Sequence, residues 1–266
     1  MPLLYSAIVP HSPILLPSIG KEYTEQLKAT ISGLETINAH LRELEIDTIV
    51  LIASEGDSTP RGGEETFFIH APEQYKADFI EFGDLRTKLE FNTDHFLADQ
   101  IKRELLNAGL SVQYHSTEKL GYDSAVPLSY LVKGIEAKVV LIHPSGASAK
   151  QQFLFGKELQ KSLQESPRHI ALIASGELSH RLTPESPAGY WKDALSFDQQ
   201  LIKMLKEKRY RKILNLKPEV LIEAQACGLS AFLVLLGAIE HINFTAHQIS
   251  YEGPLGIGHL VTEYVL

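Results

Sequence analysis

The chain has 266 residues, of which 44% are hydrophobic and 22% are charged, so it is long enough to bury a large apolar core and does not resemble a disordered sequence. Its formal net charge of −8 argues against a nucleic-acid backbone as the main partner. The single cysteine, Cys227, excludes an internal disulfide, and no apolar run reaches the ~18 residues of a membrane-spanning helix. We therefore expect a cytoplasmic protein that binds neither nucleic acid nor membrane.

The first predicted element is a buried strand over Leu3–Val9. It should end at Pro10, because proline cannot donate a hydrogen bond to a neighbouring strand. His11 follows Pro10 directly, and Pro13 comes two residues later, so the backbone around His11 has little freedom. Its imidazole is therefore expected at the carboxyl end of a strand, where open α/β sheets place their binding sites. A metal ligand or catalytic base would suit this position, and a loop histidine that caps a carbonyl is the alternative.

Three further continuous apolar runs predict strands that are covered on both faces, as in parallel sheets. They are TIVLIA (residues 48–53), KVVLIH (residues 138–143) and HIALIAS (residues 169–175). Glu55 and His180 lie in polar turns after these runs, and His143 ends the second run just before Pro144. Because the carboxyl ends of parallel strands share one edge of a sheet, we expect these side chains to lie on the same side as His11.

Helical periodicity fills the intervals between the strands. The predicted helices cover residues 21–44, 93–108, 125–133, 148–164, 197–208 and 218–240, and shorter strands cover residues 66–69, 111–114, 245–251 and 257–265. In the second helix, Phe96, Ile101 and Leu105 are expected to face inward. The alternation of strands and helices predicts an α/β fold, a single-domain sandwich over residues 1–266 with a mostly parallel central sheet flanked by helices.

Glu223 lies near the start of the predicted 218–240 helix, whose later part is almost entirely apolar. A carboxylate there gains from the helix dipole but still needs a partner. A metal cation is one candidate, and an arginine or backbone amides are the alternatives. Cys227, next to Gly228, is interpreted as a small packing residue.

The order of motifs resembles the superfamily of class III extradiol ring-cleavage dioxygenases, in particular its Memo-like branch. The matching segments are PHSPILLPSIG (10–20), DTIVLIASEG (47–56), GYDSAVPLSYL (121–131), SGELSH (175–180), EAQACGLSAFLVLLGA (223–238) and YEGPLGIGHLV (251–261). The resemblance spans nearly the whole chain. It implies a mononuclear non-haem iron(II) site on an α/β sandwich, with a small aromatic substrate and O2 as partners, and it is compatible with a homo-oligomer.

By this resemblance His11 is the first histidine ligand, Glu223 the carboxylate ligand and His180 the catalytic acid or base. Asp123 lies in a loop that often carries Asp-His and is a second catalytic candidate. Where the family typically has Ser-Pro-His-Gly, this chain has Ala-Ser-Glu-Gly, so Glu55 takes the place of the second histidine ligand. Asp57 is the alternative ligand if the loop register is shifted, and a solvated carboxylate is the alternative role for Glu55.

A His11, Glu55 and Glu223 set would bring one imidazole and two carboxylates to the metal. The additional negative charge would weaken catecholate binding and shift selectivity from iron(II) toward manganese or magnesium. Zinc is a further option, and a degenerate site would hold no metal.

Two functions follow from these residues. The first is a metal-dependent extradiol ring-cleavage dioxygenase acting on a catechol-type aromatic with O2. The second is a non-oxygenase descendant of the fold, either a metal-assisted hydrolase or a Memo-like binding protein.

Overall fold

A computed structural model of the chain describes residues 2–53, 66–144 and 147–265. The described strands are β1 (Leu3–Val9), β2 (Thr48–Ala53), β3 (Phe67–His70), β4 (Gln74–Phe79), β5 (Asp84–Asn92), β6 (Val112–His115), β7 (Lys138–Pro144), β8 (Ile170–Ser175), β9 (Thr245–Glu252) and β10 (His259–Val265). The described helices are α1 (Pro17–Gly20), α2 (Lys28–Glu43), α3 (His95–Asn107), α4 (Tyr122–Leu131), α5 (Ala149–Gln164), α6 (Ala194–Lys206), α7 (Tyr210–Leu214), α8 (Pro218–Ala224) and α9 (Leu229–Ala238). A 3-10 segment, Lys21–Leu27, precedes α2.

Eight of the described strands form one sheet in the order β6-β3-β7-β2-β8-β1-β10-β9, and β4 pairs with β5 in a separate hairpin. The central strands β7, β2, β8 and β1 run parallel to one another. Strands β3 and β6 form a further parallel pair, whereas β3 with β7, β1 with β10 and β10 with β9 are antiparallel. The prediction of an α/β fold with a mostly parallel central sheet is therefore confirmed, and all four predicted core runs lie in this sheet.

Both faces of the central strands are buried, which explains why their sequences are continuously apolar. On β2, Val50 and Ile52 pack into a cluster with residues of α3, α5, α6 and α9. The alternate residues Ile49, Leu51 and Ala53 pack on the other face with residues of α2, α4 and the β4–β5 hairpin. Because side chains of a strand alternate between faces, one strand supplies both layers of the core.

The prediction of one continuous helix over residues 218–240 is wrong, because this segment forms two helices. Helix α8 ends at Ala224, Gln225 adopts a left-handed conformation with φ of 48°, and α9 begins after Gly228. The turn brings Gly228 against Gly176, where a Cβ atom on Gly176 would lie 2.1 Å from the Cα of Gly228. This close approach of two backbones requires the helix to break.

Two smaller predictions are also corrected. Helix α4 begins at Tyr122, so Asp123 lies in the first turn of a helix and not in a loop. Phe96 is 62% exposed, and Leu97 faces inward instead, because Leu97 lies at four-residue spacing from the buried Ile101 and Leu105 and so on the same helix face. The capping box of Ser148 and Gln151 at the start of α5 is confirmed.

None of the described helices is long and apolar enough by itself to cross a membrane. Helices α8 and α9 meet that criterion only when they are taken together, and they are bent by 119° relative to each other.

Candidate metal centre

Three segments meet at the carboxyl edge of the central strands. The turn after β1 carries His11, the turn after β8 carries Glu177, and the turn between α8 and α9 carries Cys227. Backbone hydrogen bonds fix these turns, since Gly176 N donates to Val9 O at 3.0 Å and Gly228 N donates to Glu177 O at 3.0 Å. The backbone of the sheet therefore brings together three side chains that are distant in sequence.

The three side chains place a nitrogen, an oxygen and a sulfur atom close together. His11 Nε2 lies 2.7 Å from Glu177 Oε2, Cys227 Sγ lies 3.2 Å from the same oxygen, and Sγ lies 3.6 Å from His11 Nε2. His11 and Glu177 are buried, and Cys227 is half-buried. Metal bonds of about 2.0–2.3 Å place neighbouring donor atoms about 3–4 Å apart. The two distances from Cys227 Sγ fall in that range, whereas the 2.7 Å between His11 and Glu177 is a hydrogen-bond distance that would lengthen around an ion. The donor types fit a transition metal.

Hydrogen bonds orient the His11 ring. Its Nδ1 lies 3.0 Å from the hydroxyl of Ser175, and that hydroxyl donates to the carbonyl of Asp123 at 2.6 Å. Because the hydroxyl proton is used in this way, His11 Nδ1–H is the donor to Ser175. The short contact between His11 Nε2 and Glu177 then requires a second proton, which a metal ion would displace on binding.

The charge of Glu177 is stabilised by the groups around it. Burial would raise the pKa of this carboxyl, but the charge and hydrogen bond of His11, with additional effects of His259 and His180, hold the pKa below its usual range. The backbone amide of His11 also donates to Glu177 Oε1 at 2.8 Å. On the other side of the cluster, the Glu177 amide donates to Cys227 Sγ at 3.2 Å, and the Cys227 thiol donates to Glu177 Oε2 at 3.2 Å. The thiol proton, like the second proton of His11, would be displaced by a bound metal.

Two further imidazoles border the cluster. His180 Nε2 lies 3.9 Å from Glu177 Oε2, is buried, and has no hydrogen-bond partner among the described residues. His259 is fully buried and uses Nδ1–H to donate to Ile257 O at 2.9 Å, which leaves its Nε2 without a partner in the same part of the chain. Burial lowers the pKa of His259, although the nearby Glu177 carboxylate acts in the opposite direction.

The predicted site residues are only partly brought together. His11 lies in the cluster and His180 borders it. The backbone of Asp123 is linked to His11 through Ser175, but its side chain bonds instead to His143, with 3.1 Å between His143 Nε2 and Asp123 Oδ2. Glu55 and Asp57 lie outside the described residues.

Glu223 is placed differently from the expectation. Its side chain is half exposed on α8, and Oε2 accepts a hydrogen bond from Arg181 Nη1 at 2.6 Å. An arginine partner was the alternative to a metal cation for this carboxylate. The assignment of Glu223 as the carboxylate ligand stays a prediction from the sequence, whereas the carboxylate that accompanies His11 in the structure is Glu177.

Sequence reasoning missed Glu177 and Cys227 as candidate donors. Glu177 lies in the SGELSH motif, three residues before His180, and it follows a predicted strand as the other candidates do. That position after a strand is enough to mark Glu177 as a candidate site residue. The sequence favours a packing role for Cys227, because its position beside His11 and Glu177 depends on the break between α8 and α9, which the apolar pattern does not show.

Comparison with known proteins identifies the family. The family model described as the catalytic LigB subunit of aromatic ring-opening dioxygenase matches residues 5–262. That match covers almost the entire chain. The chain belongs to the LigB family.

Two curated proteins are similar to this LigB-family chain. Protein CA_C1420 of Clostridium acetobutylicum is 25% identical over 264 residues, which are 95% of this chain and 55% of that protein. This chain therefore spans about half the length of that relative. The Escherichia coli 3,4-dihydroxyphenylacetate 2,3-dioxygenase is 25% identical over 212 residues, covering 72% of this chain and 73% of the enzyme.

Among solved structures, an uncharacterised protein of Escherichia coli K12, JW3007, has a similar fold. The two structures superpose with a TM-score of 0.68 over 98% of this chain and 99% of the other, at 15% sequence identity. This similarity concerns the LigB fold alone.

Proposed function

We propose that this LigB-family chain binds a divalent transition metal through His11, Glu177 and Cys227, and that it opens the ring of a catechol-type aromatic with O2. The observation that carries the proposal is the convergence of three donor atoms from three separate segments at the carboxyl edge of the sheet. Membership of a family of aromatic ring-opening dioxygenases supports the reaction class. The name of the E. coli relative supports a dihydroxylated aromatic ring as the substrate class.

The donor set favours some metals over others. Iron(II), the ion that the sequence resemblance implies, would bring a catechol and dioxygen together at neighbouring open positions. A neutral His11, an ionised Glu177 and a Cys227 thiolate would together balance the charge of a divalent ion. Because thiolate is a soft ligand, the set also suits zinc, and it suits magnesium and manganese less well than an all-oxygen site would.

His180 is the residue best placed to move a proton. Its Nε2 is buried beside Glu177 and has no hydrogen-bond partner among the described residues. It would accept the proton of a substrate hydroxyl and return it when the ring has opened, so that both oxygen atoms of O2 enter the product. Tyr122, whose ring meets the ring of His11 edge-on at 5.7 Å, would form one wall of the substrate site.

A pair of matched variants tests which carboxylate holds the metal. Protein purified anaerobically without chelator would be analysed for iron and zinc and then titrated with iron(II). We expect Glu177→Gln to lower metal affinity by at least about 10–100-fold, since changes beyond the ligands themselves already have effects of that size. Glu223→Gln should retain the metal, because its carboxylate pairs with Arg181. If Glu177→Gln kept the metal and Glu223→Gln lost it, the proposed ligand set would be overturned.

Oxygen uptake by the metal-loaded parent with a panel of catechols tests the reaction. Consumption of O2 together with a ring-opened product is expected. A parent chain that neither contains iron or zinc nor takes them up would contradict the proposal, and so would a loaded chain that consumes no O2.

The second candidate function is a non-oxygenase one, either a metal-assisted hydrolase or a Memo-like binding protein. The observation that favours it is Cys227 in the donor set, because two anionic donors leave a divalent ion no net charge to attract a catecholate. Stoichiometric metal without O2 uptake on any catechol would support this candidate.

A further inference from the structure

A row of four ionisable side chains crosses the sheet away from the metal centre. Asp123 lies in the first turn of α4, His143 near the end of β7, His70 at the end of β3 and His115 at the end of β6. Strands β7, β3 and β6 are neighbours, and β6 is at the edge of the sheet. The row therefore runs from the interior to the edge.

The first three groups are joined by direct contacts. His143 Nε2 lies 3.1 Å from Asp123 Oδ2, and His143 Nδ1 lies 2.7 Å from His70 Nε2. Asp123, His143 and His70 are all buried. The ring of His70 contacts the ring of His115, with 4.7 Å between the centroids, and His115 is partly exposed.

These contacts leave a single consistent arrangement of protons when Asp123 is ionised and the imidazole rings are neutral. The carboxylate can only accept, so His143 donates from Nε2 and accepts at Nδ1. His70 must then donate from Nε2 to His143. His143 and His70 thus each donate toward Asp123 from Nε2, and their Nδ1 atoms face the other way along the row.

We propose that Asp123, His143, His70 and His115 form a proton relay that connects the interior at Asp123 with the protein surface at the β6 edge. A proton that reaches Nδ1 of His70 releases the Nε2 proton to His143 Nδ1, and His143 releases its own Nε2 proton to Asp123. One proton enters at His115 and one carboxylate becomes neutral, so charge and atoms balance. The rings of His70 and His115 touch without a hydrogen bond between them, so this outer step requires His115, whose Nδ1 has no partner among the described residues, to reorient its ring.

The inner end of the relay lies next to the metal centre. The Asp123 carbonyl accepts the Ser175 hydroxyl that contacts His11, and Asp123 Oδ1 is buried without a hydrogen-bond partner among the described residues. A proton on Asp123 would satisfy that oxygen. The relay does not depend on the proposed ring cleavage, although such a reaction both takes up and releases protons.

A purely structural role accounts less well for the row. Burying three ionisable groups side by side costs more free energy than burying apolar side chains of similar volume. Burial, together with His143 and His115, lowers the pKa of His70 to about 2, so a resting imidazolium does not form there. Protons would therefore move along the row in a concerted shift through neutral rings.

The test uses the full chain labelled with ¹⁵N-histidine, observed at pH 7 by long-range ¹H–¹⁵N spectra. We expect His143 and His70 to carry their protons on Nε2. The relay further predicts that these buried Nε2 protons exchange with solvent by way of His115. Replacing His115→Gln should slow this exchange by at least about 100-fold, the lower range of what a positioned proton carrier contributes.

Two controls separate a relay from a structural network. His247→Gln, at an exposed histidine of β9, should leave the exchange unchanged. Backbone amide exchange in β3 and β7 should stay the same in His115→Gln, because local loosening would speed the imidazole exchange and not slow it. Asp123→Asn should shift His143 toward the Nδ1–H form, since an asparagine amide can donate to Nε2.

Two results would overturn the proposal: a parent in which His143 carries its proton on Nδ1, or an exchange rate that His115→Gln does not change. His115 is partly exposed, so its variant remains informative even where Asp123→Asn fails to fold. Neither readout requires metal or O2. The relay can therefore fail while the proposed function holds, and the reverse.

Discussion

At the scale of single residues, Ser175 determines which atom His11 presents to the cluster. Its hydroxyl occupies Nδ1 and so leaves Nε2 for Glu177 or a metal. We expect Ser175→Ala to lower metal affinity by about 10–100-fold, as the loss of an orienting partner does at other metal sites. Competition with a chromophoric chelator measures this, with the exposed Ser196→Ala as control. An affinity equal to that of the parent would show that the ring does not need the hydroxyl.

His180 is expected to act in proton transfer and not in metal binding. His180→Gln should keep the metal content of the parent and lose about 10²–10⁴-fold in the rate of oxygen uptake. His95→Gln, at an exposed position at the start of α3, should change neither quantity. Loss of the metal in His180→Gln would instead make His180 a ligand.

Asp198 supplies a pH dependence of stability. Ser179 N donates to its Oδ1 at 2.9 Å and Tyr251 Oη donates to its Oδ2 at 2.7 Å, but burial dominates and raises the pKa from 3.8 to about 6. Since the folded chain binds this proton more tightly than the unfolded chain, the carboxyl favours folding at low pH. That contribution is lost as the pH rises from 3.8 to about 6.

The variant Asp198→Asn removes this titration. Relative to the variant, the parent should lose about 3 kcal/mol of unfolding free energy between about pH 3 and pH 7, at about 1.4 kcal/mol for each pKa unit. Urea unfolding of both chains at several pH values measures the difference. A difference that stays constant with pH would contradict the raised pKa.

At the scale of elements, α5 and α9 approach each other through two glycines. A Cβ atom on Gly156 would lie 2.0 Å from Val234 O, and one on Gly237 would lie 2.1 Å from Phe153 O. Alanine normally stabilises a helix interior by about 1 kcal/mol relative to glycine. Here the backbones are in contact, so one helix would have to move away.

We therefore expect Gly156→Ala to destabilise the chain by about 1–3 kcal/mol, the usual cost of overpacking. Leu154→Ala, at a position of the same helix that is 43% exposed, creates no backbone clash and should cost less than Gly156→Ala. Thermal and urea unfolding of both variants would be compared. If the Gly156→Ala variant were at least as stable as the parent, α5 and α9 could move apart at little cost in free energy.

The elements that the sequence predicts best are those whose environment is uniform. Strands β1, β2, β7 and β8 are buried on both faces, so an uninterrupted apolar run identifies them. The β4–β5 hairpin was not predicted. Its two strands mix buried and exposed positions, and β5 in particular carries Arg86, Lys88 and Glu90 on its open side. A half-exposed hairpin of this kind has a weak pattern.

The candidate site was less predictable than the sheet, because it depends on one backbone contact. Whether Glu223 or Cys227 reaches His11 is decided by the bend between α8 and α9, and that bend follows the contact of Gly176 with Gly228. These two glycines are distant in sequence, and the residues around each of them do not indicate that the two will be in contact. His11 and His180 could be predicted because each follows a strand of obvious type.

At the scale of the whole molecule, the candidate metal centre joins distant parts of the chain. His11 and Glu177 are 166 residues apart, and His11 and Cys227 are 216 apart. An ion bound to all three therefore requires the central sheet and the α8–α9 turn to be in place. Such an ion binds the folded chain in preference to the unfolded one, and it should stabilise the fold as a whole.

Metal binding should accordingly raise the unfolding temperature. At a free metal concentration about 100 times the Kd, the unfolding free energy should increase by about 2.7 kcal/mol. For a chain of this size, each kcal/mol raises Tm by about 2–4 °C, so a shift of about 5–10 °C is expected with iron(II) under nitrogen or with zinc(II). Scanning calorimetry of the metal-free and metal-loaded parent measures the shift.

The donor variants decide whether the shift comes from this site. Cys227→Ser and His11→Ala should each lose most of the metal-dependent rise in Tm, whereas Glu223→Gln should keep it because Glu223 pairs with Arg181. Magnesium at the same concentration should have little effect on the parent, since a thiolate and an imidazole are poor ligands for it. An equal rise in the parent and in both donor variants would place the stabilising metal elsewhere on the chain, and the cluster of His11, Glu177 and Cys227 would then be a hydrogen-bonded network of the folded protein.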